Sequence, residues 1–380
     1  MVHTNNQIHA TDGVVRVPVP ALAARRIERL SAAVAAAGLD AFLATSDESI
    51  AYLSGFRPHQ LERFFGVAVR ADGAAAIVVP ALDRGQIDSA PQELARVSYE
   101  ASSDGMGELA AVLAGAGTVG VEAEHLNFAR GLALTRLGFE PVAAGEVINA
   151  LRWRKDPEEI SRIRAACEIV QQGISQVFAT LAAGCQEAEV NARVAAWLRE
   201  QGASDVHPLI LFGAAAANPH ASPSERVLAH GEVICADLSA CIDGYWGDLT
   251  RCATAGPASA WANEAWELVR AAQAAAISAC RPGTPAREVD GAQRALIESR
   301  PDLGSCLHGA GHAIGLAIHE PPFLVPRTGT PLAEGMIFTI EPGIYKAGVG
   351  GLRLEDDVLV TSGDPELLSV AMPELVELGQ

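Results

Sequence analysis

The sequence predicts an α+β protein of two domains: a small α/β domain, then a larger one in which pairs of helices precede antiparallel strands. Three observations carry this. Helix-like and strand-like blocks alternate up to about Ile148, as in small α/β domains. The composition then shifts at Arg152-Trp153-Arg154-Lys155-Asp156-Pro157-Glu158-Glu159, which reads as a basic surface linker running into a helix start. Beyond it, long helical stretches precede paired β-like runs, one pair joined by Asp243-Gly244, a strong hairpin signal. The boundary falls near residue 150, giving domains 1–150 and 151–380 of the 380 residues, in keeping with a prior of roughly 100–200 residues per domain.

Residues 1–18 read as a flexible leader. Residues 21–37 have helical spacing, with Leu22, Ile27, Leu30 and Val34 on one stripe and Gly38 as the stop. Strands are predicted at 39–45, 66–69 and 75–79, and a helix at 108–114. This domain has no clustered Asp, Glu or His at ligand spacing, so little chemistry is expected of it. Asp156 is a good N-cap, Pro157 suits the first helical position and Glu159 completes a capping box. The helix they start should run to about Leu181. Helix 186–201 follows, stopped by Gly202, then strands 232–241 and 245–253, helices 258–280 and 285–299, and a strand-rich final third. Helix pairs thus precede strand pairs twice, a coarse echo of duplication.

Composition narrows the function. Hydrophobic residues at 49 % and charged residues at 19 % exclude disorder as the main state. No apolar run reaches the ~18 residues that span a bilayer, and the N-terminus shows no hydrophobic signal, so a cytoplasmic protein without a membrane partner is expected. The net charge, 28 − 46 = −18, opposes binding to a phosphate backbone, so no nucleic-acid partner is expected. Seven cysteines, odd in number and without Cys-x-x-Cys, read as reduced core residues.

Chemistry concentrates in three stretches. A two-residue turn at Asp243-Gly244 pairs 242 with 245 and hence 237 with 250. Asp248 then shares a face with residue 250, diagonal to Asp237. Two carboxylates inside apolar strands repel unless a cation lies between them. The second stretch, His308-Gly309-Ala310-Gly311-His312 to His319-Glu320, holds three histidines in twelve residues, with glycines that argue against a helix. In the third, Glu341 ends a β-like run before Pro342-Gly343, and Arg353 and Glu355 share a face of the next strand.

Asp237, Asp248, His312, Glu341 and Glu355 make an oxygen-rich set with one imidazole. That is too many carboxylates for a closed structural zinc. It suits two divalent cations with bridging carboxylates, roughly 3.5–4 Å apart. Such ligation favours Mn²⁺, with Co²⁺, Fe²⁺ and Zn²⁺ also compatible.

The order Asp, Asp, His, Glu, Glu, in the contexts Gly-Tyr-Trp-Gly-Asp-Leu-Thr-Arg, His-Gly-Ala-Gly-His, Glu-Pro-Gly-Ile-Tyr and Arg-Leu-Glu-Asp, resembles the pita-bread metallopeptidases, the group of methionine aminopeptidase, aminopeptidase P and prolidase. Arg29-Leu30, Gly38-Leu39-Asp40-Ala41, Tyr52-Leu53-Ser54-Gly55-Phe56 and Pro219-His220-Ala221-Ser222-Pro223 resemble its proline-specific branch. The resemblance implies a C-terminal pita-bread domain, mainly antiparallel sheet flanked by helices. It implies that Asp237 holds one metal, Asp248 and Glu355 bridge, and His312 and Glu341 hold the second. It further implies a hydroxide activated by the two metals, with Glu341 as proton-transfer partner, His220 and His319 as catalytic histidines, His308 and Tyr345 at the substrate, and Arg353 supporting the site. Ser239 stands where the family usually has Gly, Gly247 where Ser is common, and Trp246 is bulky beside a ligand strand; these bear on pocket shape.

The activity so implied is hydrolysis of the Xaa-Pro bond of dipeptides, on a small peptide with proline second, by a homodimer. The runner-up is an Xaa-Pro aminopeptidase acting on longer peptides. A non-peptide amide hydrolase of the same fold and an inactive binding module stand behind it.

Overall fold

The computed structural model describes residues 19–372 and 374–379, so the leader expected at 1–18 lies outside the described residues. The chain divides into two compact units, one ending at Leu151 and the other beginning at Arg152.

In the first unit, α1 (Val19–Ala36) buries Leu22, Ile27, Leu30 and Val34. Gly38 ends it in the left-handed region, φ 69°, where glycine carries no Cβ penalty. Then come β1 (Ala41–Ala44), α2 (Asp47–Ser54), β2 (Gly66–Arg70), β3 (Ala75–Pro80), β4 (Leu94–Tyr99), α3 (Met106–Val112), β5 (Thr118–Val121), α4 (Phe128–Arg136), β6 (Glu140–Ala143) and α5 (Gly145–Trp153). The strands form one mixed sheet in the order β4-β3-β2-β1-β5-β6. The buried carboxylate here, Glu122, accepts hydrogen bonds from the Thr45 and Ser46 backbone and from the Ser46 and Ser49 hydroxyls. Its role is to fix the entry to α2.

The second unit opens with α6 (Pro157–Thr180), capped by Asp156 with the full capping box to Glu159. It continues with α7 (Glu187–Glu200), β7 (Asp205–Phe212), β8 (Val233–Ile242) and β9 (Tyr245–Ala255), then α8 (Ala260–Ala279) and α9 (Ala286–Ile297). Short strands complete it: β10 (Gly311–Ala313), β11 (Glu320–Leu324), β12 (Ile337–Ile340), β13 (Gly343–Lys346), β14 (Gly350–Arg353), β15 (Asp356–Leu359), β16 (Glu366–Leu367) and β17 (Val376–Leu378). They form a four-stranded sheet β17-β9-β8-β7, a five-stranded antiparallel sheet β11-β10-β12-β15-β16 and the hairpin β13-β14. One apolar core gathers Leu211, Val233, Trp266, Val269 and Leu352, and another Ala276, Val289, Phe338, Ile340 and Val358. Among the described residues no helix is long and apolar enough to cross a membrane.

The hairpin register is as the turn residues dictate, with Ile242 opposite Tyr245 and Asp237 opposite Thr250. Asp243 and Gly244 both take positive φ, 50° and 83°, the turn geometry that matches strand twist.

Two expectations are corrected, and one strand is added. The basic cluster at 152–155 is no surface linker: Arg152 and Lys155 are 8 % and 6 % exposed, because both pair with buried Glu320. β7, which no predicted element covers, carries Pro208 at a sheet edge, where proline is tolerated. Arg353 and Glu355 do not share one strand, since β14 ends at Arg353 and β15 begins at Asp356 in another sheet. Between them Glu355 is tied to β9 through its N–H and the Thr250 carbonyl, 3.2 Å.

Helix α6 lies on the β8-β9 hairpin, and Gly247 is where they touch. A Cβ at Gly247 would sit 2.5 Å from the Cys167 nitrogen and 2.8 Å from the Ala166 carbonyl carbon, both helix backbone. Gly247→Ala is therefore expected to cost about 1–3 kcal/mol through forced backbone movement, read as a lower urea midpoint; an unchanged midpoint would show that helix and strand separate freely.

Candidate metal centre

The three sheets deliver the acidic side chains to one cavity of about 210 Å³, lined by Asp237, Asp248, His312, Glu341 and Glu355 together with His220, His308, His319 and Arg353. Asp237 comes from β8, Asp248 from β9 and His312 from β10. Glu341 follows β12, held by its N–H on the Ala310 carbonyl at 2.8 Å. Gly311, at φ 152°, passes so close to the Thr339 carbonyl that any Cβ would overlap it. This lets the Thr339 hydroxyl accept the His312 N–H at 3.1 Å.

Ligand atoms of Asp248, His312 and Glu355 lie within 4.8 Å of one another, and all three residues are buried. His312 Nε2 faces Asp248 Oδ2 at 4.0 Å and Glu341 Oε1 at 3.7 Å. Asp237 is turned to Arg353, whose Nη2 reaches its Oδ2 at 2.6 Å. Hydroxyl donors support two of the carboxylates: Ser239 donates to Asp248 at 2.9 Å and Thr250 to Glu355 at 2.7 Å. Asp357 Oδ2 accepts from the Asp248 N–H and from the Cys167 thiol.

Burial and mutual repulsion dominate the electrostatics. Burial, then the neighbouring Asp237, pushes Asp248 well above the usual carboxylate range; burial, then Asp248, does the same to Glu355. Burial raises Glu341 to about 7 and lowers His312 to about 3. An uncharged imidazole beside carboxylates that resist ionising is the state a divalent cation relieves, since it supplies the missing positive charge. The donor set fits hard or borderline divalent metals.

The other expected residues fall into two groups. His220 and His319 are exposed on the cavity wall. His308 is held behind them, with Nδ1 on the Gly309 carbonyl at 2.8 Å and Nε2 on the Tyr345 hydroxyl at 2.7 Å. That hydroxyl also accepts from Arg353 at 3.0 Å. Tyr345 is 3 % exposed and does not itself line the cavity; it acts on it through His308 and Arg353. Phe323 and Val325 supply an apolar wall. They went unread because alternating apolar residues in a strand-rich segment carry no chemical signal. Ser239, Trp246 and Gly247, the three departures from the family pattern, do not line the cavity.

The fold and this centre define a metal-dependent hydrolase. The chain belongs to metallopeptidase family M24, whose family model matches residues 161–362, and a Creatinase/Prolidase N-terminal domain matches residues 26–153. Its catalytic region has the pita-bread fold, and as a metallopeptidase it uses divalent metal ions. It is 35 % identical to a probable dipeptidase PepE of Mycobacterium tuberculosis over 89 % of this chain and 92 % of that protein. The structure of dipeptidase PepE from Mycobacterium ulcerans superposes with TM-score 0.87 at 31 % identity, covering 94 % of this chain and 98 % of the other. An Xaa-Pro dipeptidase from Bacillus anthracis gives TM-score 0.86 at 29 % identity, covering 94 % and 100 %.

Asp248→Asn is expected to weaken metal binding by more than ~100-fold, beyond the 10–100-fold typical of residues that only support ligands, with the circular dichroism spectrum unchanged. Full metal affinity in that variant, measured by titration calorimetry, would remove Asp248 from the centre. Stability should also carry an acid signature from Glu320. Buried, it is held at about 2 by the charges of Arg152 and Lys155, against an ordinary 4.5. Its contribution, about 3 kcal/mol, is present above pH 4.5 and lost as the pH falls towards 2. Wild type should lose stability more steeply through that window than Glu320→Gln, in which the other carboxylates alone titrate; equal slopes would reject the assignment.

Proposed function

We propose that the protein is an Xaa-Pro dipeptidase, and that Asp237, Asp248, His312, Glu341 and Glu355 hold two divalent ions, with Mn²⁺ favoured. The observation that carries this is the meeting of all five on one small cavity whose wall also bears three histidines and an arginine. At about 210 Å³ the cavity is smaller than the ~300–1,000 Å³ of drug-sized ligand sites, which suits a short peptide over a long one. The relatives named above as dipeptidases support the same reading.

When bound, the ions polarise the scissile carbonyl and make water nucleophilic at neutral pH. The chain's own residues do the rest. A prolyl nitrogen has no N–H to offer, so recognition falls on the free amine, the carbonyl oxygen and the ring. His220 and His319 donate to the carbonyl oxygen as negative charge develops on it. Glu341, poised near neutrality by burial, takes a proton from the attacking water and passes it to the prolyl nitrogen as the C–N bond breaks. His308, fixed by Tyr345, borders the prolyl ring together with Phe323 and Val325. Arg353 keeps Asp237 oriented. Residues 1–150 serve as the N-terminal domain and 151–380 as the catalytic one, in a cytoplasmic homodimer that binds no nucleic acid.

Metal-stripped enzyme given back Mn²⁺ is expected to release proline from an Xaa-Pro dipeptide and to spare the same peptide extended by one residue. Cleavage of the extended peptide would make it an aminopeptidase, and silence on both with metal bound would overturn the peptidase reading of this cavity. His220→Ala is expected to retain full metal content while kcat falls roughly 10²–10³-fold, as for loss of an oxyanion donor; loss of metal would show that His220 is a ligand.

A further inference from the structure

Residues 314–319 join β10 to β11 without regular secondary structure, and they carry His319. A loop of this kind must find partners for its own N–H groups. Here the Glu320 carboxylate provides them: Oε1 accepts from the Leu316 N–H at 2.9 Å and the Ala317 N–H at 3.2 Å. The same oxygen meets Arg152 Nη2 at 2.6 Å, and Oε2 meets Lys155 Nζ at 3.4 Å. The fit is tight at Gly315, where a Cβ would lie 3.1 Å from both Glu320 Oε2 and Lys155 Cε. Glu320 is also the residue paired with Ala313 where the β10-β11 register shifts.

That pairing places the loop against His312. Its Nδ1 lies 3.1 Å from the Ala313 carbonyl, and the Ile318 carbonyl is a second acceptor for the same ring. The His319 ring packs edge-on against it, with centroids 4.2 Å apart. Carbonyls can only accept, so the proton sits on Nδ1 and Nε2 is left bare towards Asp248 and Glu341. Tautomer control by the second nitrogen's partner is a general feature of histidine ligands.

We propose that Glu320, clamped between Arg152 and Lys155, is a positioning residue of the metal centre, shaping loop 314–319 so that the Ile318 carbonyl stands against the ring beside the Ala313 carbonyl of β10, which holds His312 as the Nδ1–H tautomer. This rests on the reading of His312 as a ligand, but its test needs no peptide. The ¹⁵N-histidine spectrum of the metal-stripped wild type should show His312 as the single Nδ1–H tautomer. Glu320→Gln should show mixed tautomers and bind Mn²⁺ about 10–100-fold more weakly. Lys155→Met keeps the Arg152 contact and should weaken Mn²⁺ binding about 3–10-fold, a fraction of that range, with Lys155→Arg restoring it. Should Glu320→Gln fail to fold, Lys155→Met decides. Unchanged tautomer and unchanged Mn²⁺ affinity in the folded variants would overturn the proposal. A wild type that binds Mn²⁺ but cleaves no Xaa-Pro peptide would overturn the proposed activity and leave this inference standing.

Discussion

Repulsion among carboxylates in a cavity that excludes water is the constraint on which the rest of the catalytic unit depends. Asp248 and Glu355 are 5 % and 2 % exposed, and Asp237 and Glu341 share their wall. Among the described residues lining that wall, Arg353 is the single permanent cation. Burying unpaired charge costs several kcal/mol per ion, so burial favours the protonated forms of Asp248, Glu355 and Glu341, and a divalent cation would release those protons. Metal affinity and the raised carboxyl pKa values are thus two views of one interaction.

Holding such groups together demands stiff supports. Asp237 and Asp248 lie diagonally across the β8-β9 hairpin, opposite Thr250 and Ser239, in a register that follows from a two-residue turn. The others arrive on β10 and at the ends of short strands from a second sheet and a second hairpin. Three of the four carboxylates have a donor behind them: Ser239 for Asp248, Thr250 for Glu355 and Arg353 for Asp237. Asp357, kept near neutrality by burial, ties the Asp248 backbone to the Cys167 thiol of α6. The residues assigned to touch the reacting carbonyl, His220 and His319, stand instead on exposed loops.

The Arg152–Glu320–Lys155 cluster shows a second use of buried charge. Unlike the metal carboxylates, Glu320 has two cations and two backbone N–H groups, so it stays ionised far into acid. One unit of the fold thereby holds buried carboxylates of opposite character, Glu320 on β11 and Asp248 on β9. Their neighbours decide the difference: hydrogen-bonded cations stabilise the charged form, while bare burial disfavours it.

The sequence by itself determined α1, α3, the four helices of the second unit, the β8-β9 hairpin and its register, and the five acidic and imidazole side chains that meet at the cavity. These are legible because helical and strand periodicity, caps and Asp-Gly turns follow from covalent geometry over a few residues. Only the tertiary structure decided that Arg152 and Lys155 are buried, that β7 is an edge able to carry Pro208, and that Glu355 lies between two sheets. It also set Phe323 and Val325 on the cavity wall and the Ala313 carbonyl on His312. Each depends on partners more distant along the chain than one turn or hairpin, such as Glu320 for Arg152, or on a backbone atom that no side-chain pattern reports. A linear sequence records which charges exist; the fold alone decides which of them meet.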